Sequence, residues 1–146
     1  MTGHVFWDTN LLIYWIEQSP QWRKKMGDLY DWQKANHYKI ITSALSLGEI
    51  LVHPMRISNI PLAQSYARII GEMGCIHFGV NEAWRFSELR ARHPALRPPD
   101  AIQLACASIC GVDYFFTNDD RLCRYKVNGI GRILGLEEWQ MSLPGK

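Results

Sequence analysis

Four acidic side chains, Asp8, Glu49, Asp100 and Asp119, stand at positions from which carboxylates can act together. Asp8 follows the β-rich apolar run His4-Val5-Phe6-Trp7 and precedes Leu11-Leu12-Ile13-Tyr14-Trp15-Ile16, where Leu12, Trp15 and Ile16 share a helical face. It therefore sits at the carboxyl end of a predicted strand, just where Thr9 and Asn10 turn into a helix. Asp119 comes after Tyr114-Phe115-Phe116 in the same manner, within the polar turn Thr117-Asn118-Asp119-Asp120. Glu49 and Asp100 each lie in the opening turn of a predicted helix.

Each acid also has a local explanation. Asp8 suits an N-cap, and Ser46-x-x-Glu49 fits a capping box in which the glutamate reaches back to the Ser46 N–H. Asp100, after Pro98-Pro99, is a first-turn acid favoured by the helix dipole. Taken together the four are harder to explain locally, because strand C-termini and the following helix N-termini share one edge of a parallel sheet. Four carboxylates gathered there repel one another and need a cation to stay ionised. An oxygen-only donor set selects a hard ion, Mg²⁺ or Mn²⁺, and such an ion promotes hydrolysis of phosphodiesters.

The elements that must position these acids alternate along the chain. Strands are predicted at His4–Trp7, Lys39–Ser43, Cys75–Phe78, Tyr114–Phe116 and Gly129–Leu134. Helices are predicted from Thr9 to about Ile16, Gln21 to Asn36, Ser46 to Val52 (limited by Pro54), Leu62 to Met73, Glu82 to Arg92 and Asp100 to Cys110. Asn81 is read as the cap of the fifth, with Trp84, Leu89 and Ala91 on its apolar side, and the sixth is apolar nearly all round and so buried. This order specifies an α/β fold with three layers, α/β/α, around a mostly parallel sheet of four to five strands. At 146 residues and 47% hydrophobic, the chain suits a single domain spanning residues 1–146.

Composition narrows the chemistry further. Cys75, Cys106, Cys110 and Cys123 show no zinc-ligand spacing and read as buried free thiols, and the five histidines are scattered. No apolar run is long enough for a membrane span, and Met1-Thr2-Gly3-His4 lacks the basic start of a signal peptide, so a cytoplasmic protein is expected. Net charge is +2; with four acids committed to an ion, ten of the fourteen acids remain against sixteen bases, a balance suited to a polyanion. Arg85, Arg92, Arg97 and Arg121 are candidates for contacts to a nucleic-acid backbone. Trp15, Trp22, Trp32, Tyr30 and Tyr38 are candidates for core packing or for a dimer or partner contact.

With these residues in view, the chain resembles a PIN domain, and within that family the VapC-type toxin ribonucleases. The matching segments are Val5-Phe6-Trp7-Asp8-Thr9-Asn10, Ser46-Leu47-Gly48-Glu49-Ile50-Leu51, Pro99-Asp100-Ala101-Ile102-Gln103-Leu104-Ala105 and Phe116-Thr117-Asn118-Asp119, in the family's order. The resemblance implies a metal-dependent endoribonuclease with Mg²⁺ or Mn²⁺ held by Asp8, Glu49, Asp100 and Asp119. Thr9, Asn10 and Thr117 would orient the carboxylates. Asp120 leaves the fourth position open, although the Thr-Asn-Asp register favours Asp119. The resemblance also implies an RNA substrate, tRNA or rRNA in the toxins, a homodimer and a small antitoxin partner. Leu122 departs from the aromatic common in relatives. A haloacid-dehalogenase phosphatase would need an acid where Asn10 stands. The remaining alternative is a catalytically silent PIN-like module that binds RNA or protein.

Overall fold

Alternation along the central strands sets the layers. In β1 (Gly3–Trp7), Val5 and Trp7 point to one side and Phe6 to the other, all three fully buried. Phe6 enters the cluster containing Leu104 and Ala105, and its ring stacks on Phe115 at 4.9 Å. Val5 and Trp7 enter the opposite cluster with Leu11, Leu12, Met26 and Leu29. Both faces of the strand are therefore core, as a parallel sheet between helices requires. Each fully buried apolar side chain of this size contributes about 1.5–3 kcal/mol.

The computed structural model describes residues 3–143. Met1 and Thr2, part of the segment read for a signal peptide, lie outside them. The sheet comprises β1, β2 (Tyr38–Ser43), β3 (Gly74–Ile76), β4 (Val112–Thr117) and β5 (Ile130–Gly135), all neighbours parallel, in the order β3-β2-β1-β4-β5. The order reverses at β1, whose two neighbours are β2 and β4, and the crevice above β1 and β4 is the topological switch point where open α/β sheets bind ligands. The helices are α1 (Thr9–Glu17), α2 (Arg23–Ala35), α3 (Ala44–Arg56), α4 (Ile60–Glu72), α5 (Val80–Arg92), α6 (Pro98–Cys110) and the short α7 (Trp139–Ser142). A 3-10 helix, Asp120–Arg124, follows β4. The expected three-layer α/β/α architecture is what forms.

Several local expectations are corrected. Helix α3 begins at Ala44, with the Ser43 hydroxyl accepting from the Ser46 N–H, so Ser46 is not the cap and Glu49 is no capping-box glutamate. The helix also runs through Pro54 to Arg56: the ring forfeits one backbone donor in the last turn, Pro54 itself is buried, and its carbonyl accepts from the Asn59 N–H at 2.9 Å. The Pro98-Pro99 pair opens α6 instead of preceding it, its absent N–H groups falling where a helix has no use for them. In α5 the cap is Gly79, whose N–H donates to Glu82 at 2.9 Å, rather than Asn81. Phe86 and Leu89, three residues apart, share the inward face, leaving Trp84 72% exposed and Ala91 at the surface.

All four cysteines are free, but Cys110 is exposed; burial pushes the Cys106 thiol up to about 12. The aromatics of the first two helices stack on neighbouring rings: Trp15 on Tyr30 at 4.7 Å, Tyr14 on Trp22 just before α2, and Trp32 on Tyr38 of β2. Gly129 (φ +95) lets the chain cross the end of α6, since a Cβ there would lie 2.2 Å from the Ser108 carbonyl oxygen. No helix among the described residues is long and apolar enough to cross a membrane.

Candidate active site

The four acids reach one cleft from four elements. Asp8 caps α1 at the end of β1, Glu49 projects from α3, Asp100 lies in the first turn of α6, and Asp119 follows β4. Together with Thr9, Asn10, Arg97, Pro99 and Gln103 they line an open cavity of about 290 Å³. Asp120 is not among its walls; its carboxylate lies near Gly135 and Cys123, so of the two neighbours Asp119 is the one that lines the cleft.

Asp8 is the buried member, 8% exposed, and every donor around it is fixed. The Thr117 hydroxyl donates to Oδ2 at 2.7 Å, while Oδ1 accepts from the Thr9 N–H at 2.9 Å and from Gln103 Nε2 at 3.3 Å. Burial raises the Asp8 carboxyl above its ordinary range, with the nearby Asp100 charge adding to the rise, whereas the three hydrogen bonds lower it. Thr117 is itself fully buried and accepts from the Asp119 N–H at 3.1 Å, so one hydroxyl ties the two strand-end acids together.

A second hydroxyl serves Glu49. Thr9 Oγ1 donates to Glu49 Oε1 at 2.6 Å, and because its single proton is used there, Ser46 is the donor in the 2.8 Å contact between the two hydroxyls. Gln103, 2% exposed on α6, joins the halves: the two protons of Nε2 are shared among Ser46 Oγ at 2.7 Å, Thr9 Oγ1 at 3.1 Å and Asp8 Oδ1 at 3.3 Å, while Oε1 accepts from Ser43. Asn10 acts differently from Thr9. Its Oδ1 accepts from the Asn118 N–H at 3.2 Å, tethering the loop that carries Asp119 instead of touching a carboxylate.

Asp100 and Asp119 are held by arginines. Arg97 Nε donates to Asp100 Oδ2 at 3.0 Å and its Nη2 reaches Asp119 Oδ2 at 3.5 Å. Arg121 grips Asp119 with two nitrogens, at 3.0 and 2.6 Å. These bonds, with Arg121 foremost, hold the Asp119 carboxyl below its ordinary range. The repulsion expected of gathered carboxylates is thus met by the chain's own guanidinium groups. Among the described residues, no three acidic, histidine or cysteine side chains are arranged to share one ion.

The PIN domain family model matches residues 5–128. The chain belongs to the PIN domain family. A search of curated proteins gives no significant match. Among solved structures, this PIN domain is similar to VapBC2 from Rickettsia felis bound to a promoter DNA fragment, with a TM-score of 0.71 at 17% identity over 90% of this chain and 98% of that one. It is similar as well to DNA-bound VapBC from Salmonella typhimurium, with a TM-score of 0.69 at 18% identity over 93% and 99%. A toxin-antitoxin complex from Klebsiella pneumoniae gives 0.64 at 21% identity over 86% and 94%. The five-stranded parallel sheet between helices is therefore the PIN fold.

The four arginines expected at a nucleic acid divide. Arg97 and Arg121 stand at the acid cleft of this PIN domain. Arg85 and Arg92 line a separate groove beside α5 with His93 and Lys126. Arg85 is engaged there with Glu88, Ser108 and the Asn128 carbonyl. The residues not anticipated from sequence are Gln103, Ser43 and Ser46. The visible signal for Gln103 is an amide in the middle of a largely apolar, buried helix, since a buried amide must find partners.

Proposed function

We propose that this PIN domain, residues 1–146, is a metal-dependent endoribonuclease of the VapC type that hydrolyses RNA phosphodiester bonds. The observation that carries the reading is the convergence of Asp8, Glu49, Asp100 and Asp119 on one cleft at the sheet's switch point. Their donor set is oxygen only, and burial opposes charge on Asp8 until a cation compensates it, which suits a hard dication such as Mg²⁺ or Mn²⁺. Bound there, the ion supplies Lewis acidity toward water and toward the phosphoryl oxygens.

The chain's own residues do the positioning. Thr117, Gln103 and the Thr9 N–H fix Asp8, and the Thr9 hydroxyl aims Glu49. Arg97 and Arg121, more than half exposed at the rim, are placed to meet phosphate oxygens, and Arg92 offers a further backbone contact from the groove beside α5. The similarity to toxin-antitoxin complexes supports a role as the toxin of a type II pair, acting in the cytoplasm on tRNA or rRNA, as a homodimer checked by a small antitoxin.

Cleavage of total cellular RNA tests the reading. Discrete fragments are expected with Mg²⁺ or Mn²⁺, lost in EDTA and restored on adding metal back. Cleavage that persists in excess EDTA would overturn the metal assignment. A folded protein with neither cleavage nor Mn²⁺ binding would favour the silent module.

A further inference from the structure

Arg97 and Arg121 occupy the acids' bonding positions in a way that a passive surface pair does not. Arg97 spans two carboxylates, Asp100 at 3.0 Å and Asp119 at 3.5 Å, so its guanidinium lies where a cation shared by those acids would act. Arg121 presents a fork to Asp119, with Nε and Nη2 on different oxygens at 3.0 and 2.6 Å. The acids are mostly shielded, 14% and 19% exposed, whereas the arginines are 57% and 56% exposed. The anions are thus fixed and the cations sit on long arms free to swing into solvent. A guanidinium has no acceptor lone pair, so it competes with a metal ion for the same oxygens and cannot share them as a ligand.

Resting on the metal reading above, we propose that Arg97 and Arg121 are exchangeable counter-cations. They neutralise Asp100 and Asp119 until a divalent ion takes those carboxylates, and they then turn to the phosphates of the RNA. The exchange conserves charge compensation: each carboxylate passes from a guanidinium to the ion, and each freed guanidinium meets an incoming anion beside the cleft. It also links two events, because an RNA that draws the arginines away leaves the acids open to metal, and metal that displaces them frees them for RNA. One substitution should therefore act on the two ligands with opposite signs.

The test measures Mn²⁺ binding by titration calorimetry, and binding of a short fluorescent phosphorothioate oligoribonucleotide by anisotropy at saturating Mn²⁺ and in EDTA, for wild type, Arg97→Gln, Arg121→Gln and Arg124→Gln. The loss of oligoribonucleotide affinity in Arg97→Gln and Arg121→Gln is expected to be larger with Mn²⁺ present. Arg124 is the control, an exposed neighbour that pairs with no carboxylate among the described residues. Arg97→Gln and Arg121→Gln should each bind Mn²⁺ about threefold to tenfold tighter and the oligoribonucleotide about threefold to tenfold more weakly, the range for loss of a partly exposed charge-assisted pair. Arg124→Gln should move Mn²⁺ binding by less than about twofold, the scale of a screened surface charge. Equal Mn²⁺ affinity in all four proteins would overturn the exchange while leaving the metal site standing. Weaker Mn²⁺ binding in Arg97→Gln would overturn it too, making the arginine a support of the acids. Absence of Mn²⁺ binding in every protein would refute the metal reading itself.

Discussion

Replacing Thr117 by valine isolates the hydroxyl that joins Asp8 to Asp119. The side chain is fully buried and valine matches its shape, so no cavity opens. Two bonds are lost: the 2.7 Å donation to Asp8 Oδ2 and the 3.1 Å acceptance from the Asp119 N–H. A bond to a charged acceptor contributes about 1.5–3 kcal/mol, and a buried N–H left without a partner costs about 1–3 kcal/mol. Some relief follows, because Asp8 can take up a proton more readily once the bond that favoured its ionised form is gone. Above both folded Asp8 values, where the carboxylate is ionised in either protein, the net loss is expected to be about 2–4 kcal/mol. Its pH dependence is the stronger test. Burial already raises the folded Asp8 carboxyl above its ordinary 3.8, and losing Thr117 raises it further. Both proteins lose stability as pH rises from 3.8, wild type until its own folded value is passed and the variant to a higher one. The gap between them therefore opens across the interval separating the two folded values and is smallest in acid. Urea unfolding in EDTA across a series from about pH 4 to about pH 9 reads it, with Thr117→Ser restoring most of the loss. A gap that stays constant across the whole series would refute the proposed role of the hydroxyl.

Further predictions follow from the packing and polar contacts around the cleft. Gln103→Leu strips partners from Asp8, Thr9, Ser43 and Ser46 in a buried position, and urea unfolding should show a loss of about 2–4 kcal/mol together with weaker Mn²⁺ binding. Trp32 meets Tyr38, Tyr114, Phe116 and Trp139 within 6.3 Å, so Trp32→Ala should destabilise by about 3–5 kcal/mol in thermal or urea melts; a small effect would place this ring at a partner surface instead of in the core.

The architecture and the convergence of acids were legible because they rest on patterns that act locally. Val5-Phe6-Trp7 and Tyr114-Phe115-Phe116 are apolar on both faces, which only a covered central strand explains, and each ends in a polar turn carrying an acid. Glu49 was obscured by competition among caps. Ser46-x-x-Glu49 satisfies a capping pattern, but Ser43 lies one turn earlier at the strand end, and its hydroxyl makes the cap first. The Arg97–Asp100 pair follows ordinary helical spacing and could be read from sequence. The grip of Arg121 on Asp119 could not, because it depends on the loop conformation between β4 and the 3-10 helix. Trp84 shows a limit on a helix face: it shares a side with Ala91, Phe86 shares another with Leu89, and tertiary packing decides that the second side meets the core.

The most direct test of the account compares RNA cleavage by wild type and Asp8→Asn in Mn²⁺, with the stability of each measured in parallel. Stability is measured because the amide must turn an NH2 toward one of the donors that Asp8 accepts from, so the two proteins are compared at a temperature where urea unfolding shows both to be folded. The account predicts metal-dependent cleavage by wild type and none by this well-folded variant. Undiminished cleavage by Asp8→Asn would contradict the assignment of the acid cleft as the catalytic centre.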